Sequence, residues 1–144
     1  MTTTFVHGGV VVSPTGSQPL DVLIDGETIV AVLQPGSALL GADPASSSDV
    51  VVDATGKYVI PGGVDGHTHM EMPFGGTFAS DSFETGTRAA AWGGTTTIVD
   101  FAIQNPGMRV QDTLAAWHDK AAGSCAIDYG FHQIIGDVDS DSLK

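Results

Sequence analysis

Two histidines one residue apart, His67 and His69, sit in the run Pro61-Gly-Gly-Val-Asp-Gly-His-Thr-His-Met. Side chains alternate along an extended chain, so positions two apart share a face. Asp65, His67 and His69 are therefore expected on one face and Thr68 on the other. Two neighbouring imidazoles can hold one divalent ion, and zinc accepts imidazole nitrogen readily. Asp65 is placed to fix a histidine tautomer from behind the ligands. A His-x-His pair alone is a weak signal, and its context strengthens it. Pro61-Gly62-Gly63 lets the backbone bend, and the apolar Tyr58-Val-Ile precedes it. The pair falls where a strand leaves its sheet, which is where α/β barrels place their catalytic groups.

The elements around the pair follow a strand-helix rhythm. Tyr58 to His69 reads as a strand running into a loop. Asp81 to Trp92 reads as a helix, with Asp81 as N-cap, Glu84 as its reciprocal partner and Gly93-Gly94 as its end. Thr95-Thr-Thr-Ile-Val-Asp-Phe-Ala is β-branched and apolar, hence a buried strand. Val110 to Ala122 is a second helix closed by Gly123, and Cys125 to Ile135 a third strand. Strand, helix, strand, helix, strand predicts a parallel sheet and an α/β fold. The first fifty residues predict strands alone: 5–12, a hairpin over 21–33 with Asp25-Gly26 at its tip, and 50–53. Residues 35–49 read as a loop. That opening is too thin to bury a core by itself.

Composition narrows the function classes. Of 144 residues, 42% are apolar and only 15% charged, against ~25% charged in typical domains, so part of the surface expects covering by more protein. Five basic against seventeen acidic residues give a net charge of −12, which repels phosphate backbones and argues against nucleic-acid binding. Cys125 is the one cysteine, so no internal disulfide is available, and its apolar setting predicts a buried structural thiol. The N-terminus has no basic, apolar leader pattern. No run approaches the ~20 apolar residues of a membrane helix. The expectation is a soluble, cytoplasmic protein with no membrane partner.

Several residues look functional and read as structural. Asp137-Val-Asp-Ser-Asp opens like a calcium loop, but Ser142 stands where glycine is needed, so it reads as a helix start. His7 and His118 have no partner motif. Trp92 and Trp117 fall on predicted helices, where core packing is the default.

The run PGGVDGHTH resembles the first metal motif of the amidohydrolase superfamily. Met70-Glu-Met-Pro-Phe-Gly-Gly-Thr-Phe, the segment from Asp81 through Phe101, and Asp128-Tyr-Gly-Phe-His are similar to dihydropyrimidinases and D-hydantoinases. The resemblance covers essentially the whole chain. It implies a (β/α)8 barrel whose first strands and helices are residues 57–144, preceded at 1–56 by the N-terminal part of a small β-sandwich domain. A full barrel takes ~250 residues, so the chain is expected to be a fragment, inactive alone.

The resemblance also implies two divalent metal ions, most often zinc, bridged by a carboxylated lysine. His67 and His69 match the pair that binds the more buried ion. The bridging lysine, two further histidines, an aspartate and an oxyanion-binding tyrosine would lie beyond Lys144, which leaves no catalytic group within this chain. Lys120 and Lys144 do not match the lysine motif, and His132 is not at a ligand position. The implied reaction opens a dihydropyrimidine or 5-substituted hydantoin to an N-carbamoyl amino acid, by attack of a metal-bridged hydroxide. The loop Met72-Pro-Phe-Gly-Gly would border the substrate's exocyclic group, making Phe74 and Met72 substrate contacts. Its apolar character argues against dihydroorotases and allantoinases. The implied assembly is a homotetramer. The alternatives are a non-catalytic relative such as the collapsin response mediator proteins, which have lost metal ligands, or another cyclic amidohydrolase such as an allantoinase.

Overall fold

A computed structural model describes residues 1–39, 41–138 and 140. The chain divides into two units, Met1–Pro61 and the residues from Gly62 onward.

The first unit is built from short strands: β1 (Thr3–His7), β2 (Val10–Ser13), β3 (Gly16–Pro19), β4 (Asp21–Asp25), β5 (Thr28–Leu33), β6 (Val50–Asp53) and β7 (Tyr58–Val59), with one helical turn, α1 (Pro44–Ser47). They form a four-stranded sheet ordered β5-β4-β1-β6 and a three-stranded sheet ordered β3-β2-β7. The single strand expected over 5–12 is instead two strands in different sheets. Gly8 breaks it with a φ of 76°, a conformation open to glycine at no steric cost. Its N–H donates to Asp21 Oδ1 at 3.1 Å, which gives the buried Asp21 a partner. The predicted hairpin at Asp25-Gly26 is present, closing on the pair Asp25–Thr28. Within the expected loop 35–49, Asp43 caps α1 by accepting from the Ala45 N–H. Tyr58–Val59 pairs with β2, so the pattern change seen at Lys57 precedes the end of the first unit.

The second unit contains β8 (Gly63–Thr68), β9 (Pro73–Phe74), β10 (Thr77–Phe78), α2 (Phe83–Trp92), β11 (Thr95–Ile103), α3 (Val110–Ala121) and β12 (Asp128–Ile134). Strands β8, β11 and β12 form a parallel sheet with β11 in the centre, as the strand-helix rhythm predicts. Even-numbered residues of β11 face the helices: Ile98 and Ala102 join Phe83, Trp117 and Ala121 in the buried core. Burying side chains the size of Ile98 and Phe83 contributes ~1.5–3 kcal/mol each.

Three local expectations are corrected. The cap of α2 is Ser82, with Thr85 as its reciprocal partner, while Glu84 instead pairs with Arg88 at 3.4 Å on the exposed face. Trp117 is buried, but Trp92 is 94% exposed, because the last turn of α2 extends past the core. Cys125 is half-buried against the core, and burial, followed by the Asp100 charge, raises its thiol pKa. His7 stacks on Phe5 and His118 packs edge-on against Phe131. The helix expected from Asp137 runs into residues outside those described. Among the described residues, no helix is long and apolar enough to cross a membrane.

Candidate metal site

His67 is the penultimate residue of β8 and His69 follows the strand directly, at the C-terminal end of the parallel sheet. Their rings meet edge-on with centroids 5.1 Å apart. Both rest on Phe101 of the neighbouring strand, at 4.4 Å from His67 and 5.2 Å from His69. Phe101 also contacts His132 of β12 at 4.9 Å, and His132 Nε2 lies 3.1 Å from the Gly66 carbonyl oxygen. One phenyl ring thus underlies three imidazoles, from β8, from the residue just past it and from β12. Such aromatic pairs add ~0.5–1.5 kcal/mol beyond their buried area.

The strand that carries the ligands is not regular. Ile98 pairs with Asp65, whereas Asp100 pairs with Thr68. Three steps along β8 match two along β11, so β8 carries a bulge between Asp65 and Thr68. A bulge re-aims side chains and interrupts the ladder. It takes Asp65 out of the alternation that His67 and His69 keep between themselves. The Asp65 carboxylate accepts from the His67 backbone N–H at 3.1 Å, bracing the main chain rather than an imidazole nitrogen.

Asp100 supplies the remaining support. Its carboxylate is fully buried and accepts from Thr68 Oγ1 at 3.1 Å, from the Met70 N–H at 2.6 Å and from the Phe101 N–H at 2.7 Å. Sequence reasoning saw only a buried strand here. The available signal was an acidic residue inside an otherwise β-branched and apolar run.

After the histidines the chain turns sharply. Glu71 has a φ of 52°, and its carboxylate accepts from the Phe83 N–H at 3.4 Å, at the start of α2. Residues 73–78 then form a small hairpin, Phe74 opposite Thr77 and Pro73 opposite Phe78. Its Gly75-Gly76 tip has φ values of 58° and 83°, the pattern of a tight hairpin turn. Phe74 and Phe78 are 76% and 68% exposed. With Ile103 and Asn105 they line a shallow cavity, so the flap lies over the end of β11. Met72 is half-buried, with its carbonyl accepting from the Ala79 N–H. Phe78 was not singled out from the sequence; its pairing with Pro73 brings it in.

The donor chemistry fits a divalent ion held from one side. Two adjacent imidazoles, braced from below, supply half of a tetrahedral set. Among the described residues, no third histidine, cysteine or carboxylate joins them.

Residues 58–135 match the sequence profile of the Amidohydrolase family. The chain is 58% identical to a D-hydantoinase of Streptomyces coelicolor, over 98% of this chain and 30% of that protein. It is 44% identical to a D-hydantoinase of Geobacillus stearothermophilus, over 99% of this chain and 28% of that protein. Among solved structures, the dihydropyrimidinase from Brevibacillus agri NCHU1002 superimposes with a TM-score of 0.88 at 45% identity, covering 99% of this chain and 29% of that one. The chain therefore spans less than a third of the length of the relatives it matches.

Proposed function

The chain belongs to the Amidohydrolase family, and from that premise we propose that the full-length protein hydrolyses cyclic amides, opening a dihydropyrimidine or 5-substituted hydantoin to an N-carbamoyl amino acid. The observation that carries this reading is the side-by-side placement of His67 and His69 at the C-terminal end of a parallel strand. The identity to proteins named D-hydantoinase supports the substrate class. In this reading β8, β11 and β12 are the first three strands of a (β/α)8 barrel within residues 57–144, and residues 1–56 belong to a small β-sandwich domain. The protein is a cytoplasmic homotetramer acting on a small molecule.

His67 and His69 would hold one of two divalent ions, with zinc as the ion this donor type suits and a carboxylated lysine as the bridge. When bound, the ions supply a hydroxide nucleophile at neutral pH and polarise the ring carbonyl. This chain's own residues orient and enclose. Phe101 sets the tilt of both imidazoles and keeps water from their lower face. Asp65 stiffens the main chain leading to His67. Phe74 and Met72, on and before the flap, meet the substrate's exocyclic group through apolar contact.

The test is ring opening by the purified full-length protein with dihydrouracil, 5-phenylhydantoin and allantoin. N-carbamoyl product from either of the first two, lost on chelation and restored by zinc or manganese, is expected. Metal-replete protein that opens neither ring, or that opens only allantoin, overturns the assignment.

A further inference from the structure

We infer that Asp100 is a positioning residue for His69, holding the imidazole where a metal can use it; this rests on the hydrolase reading above. The two residues that flank His69, Thr68 and Met70, both donate to the same carboxylate oxygen, Asp100 Oδ2, at 3.1 and 2.6 Å. Anchoring the residues on both sides of a ligand fixes the peptide planes that set its side-chain direction. The end of β8 explains why a side chain is needed for this. The bulge past Asp65 brings Thr68 opposite Asp100, and the strand stops there, so Met70 lies beyond the ladder. The Met70 N–H finds its acceptor in a side chain instead.

A strand built only for packing would carry another apolar residue at this position. Ile98 and Ala102, two before and two after, are both buried in the core. A buried carboxylate is costly unless its hydrogen bonds are filled, and here Thr68, Met70 and Phe101 fill them. The next residue, Phe101, places its ring beneath both histidines. Consecutive residues of β11 therefore brace the ligand segment from both faces of the sheet, by charge on one and by ring on the other.

The experiment uses metal-depleted full-length protein and measures zinc affinity by competition with a chromogenic chelator. It compares wild type, Asp100→Asn and Thr68→Val, with melting temperatures of the metal-free forms alongside. Asp100→Asn keeps the volume and one acceptor but loses the charge; zinc affinity is expected to fall by about 10-fold or more, in the range seen when ligand-orienting partners are removed. Thr68→Val is expected to weaken zinc in the same direction by a smaller factor, and KM at saturating metal is expected to stay at the wild-type value. A lower melting temperature with unchanged zinc affinity in Asp100→Asn makes Asp100 a packing residue and overturns the inference. If Asp100→Asn does not fold, Thr68→Val decides: unchanged zinc affinity overturns it. A wild type that binds no metal overturns the hydrolase reading and this inference together, whereas a wild type that binds and variants that bind equally well overturn this inference alone.

Discussion

The ring of Phe101 lies against that of His67, with centroids 4.4 Å apart and planes tilted by 47°. The contact ties a metal-ligand candidate on β8 to the central strand of the sheet, and the same ring reaches His69. Phe101→Leu keeps an apolar side chain but removes the flat support under both imidazoles. Zinc affinity measured calorimetrically on the full-length protein should fall by about 10-fold, with the fold intact by circular dichroism. Wild-type affinity in Phe101→Leu would mean that the strand alone orients the histidines.

Much of this architecture was legible in the sequence. The β-branched run from Thr95, the glycines after Trp92 and Gly123 after the segment Val110 to Ala122 each announce their element by composition. The histidine pair was legible because alternation predicts a shared face. The bulge beside it was not, since a one-residue slip in pairing leaves no trace in residue types. It is the bulge that separates Asp65 from the histidines and brings Thr68 opposite Asp100. The cap of α2 falls one residue past the position the sequence predicts: Asp81 and Ser82 both suit the role, and only geometry selects the pair Ser82 and Thr85. Trp92 shows the limit of reading burial from residue type, because its position past the core decides its exposure.

Gly62 illustrates a constraint of space. A Cβ built there would stand 2.7 Å from Thr96 Cβ and closer still to the Thr96 side-chain ends. The threonine's Cβ is fixed by β11, so it cannot step aside. Gly62→Ala should force the entrance of β8 away from β11 and cost about 1–3 kcal/mol, as overpacking does. Urea unfolding of the purified protein checks this, and a midpoint equal to wild type would show that the strands part freely here.

Thr87 joins α2 to the segment before β12. The side chain is buried, its hydroxyl donates to the Phe83 carbonyl, and it accepts from the Ala126 N–H at 2.9 Å. Thr87→Val preserves shape and leaves that part-buried N–H without its acceptor, a loss of about 1–3 kcal/mol. Thr87→Ser, which keeps the hydroxyl, should retain most of the stability. Equal unfolding midpoints for the valine and serine variants would contradict this account.

Asp49 makes the first unit acid-sensitive at one place. The Thr3 backbone N–H and hydroxyl both donate to its carboxylate, at 2.7 and 3.0 Å, and these bonds lower its pKa. A carboxyl with a lowered folded pKa adds stability above its unfolded value of about 3.9 and loses it as pH falls through the folded one. Protection of the Thr3 amide against hydrogen exchange, corrected for intrinsic rate, should therefore drop below about pH 4. Asp49→Asn should remove that step, and a profile that stays flat into acid would sink the assignment.

The most direct test of the central claim is the metal content of the full-length protein, set beside that of His67→Ala and His69→Ala. Wild type purified without chelators should carry about two equivalents of divalent metal per chain, and each histidine variant should lose at least one of them together with ring-opening activity. Variants that retain the wild-type metal complement, or a wild type that neither carries metal nor takes it up on reconstitution, would contradict the account.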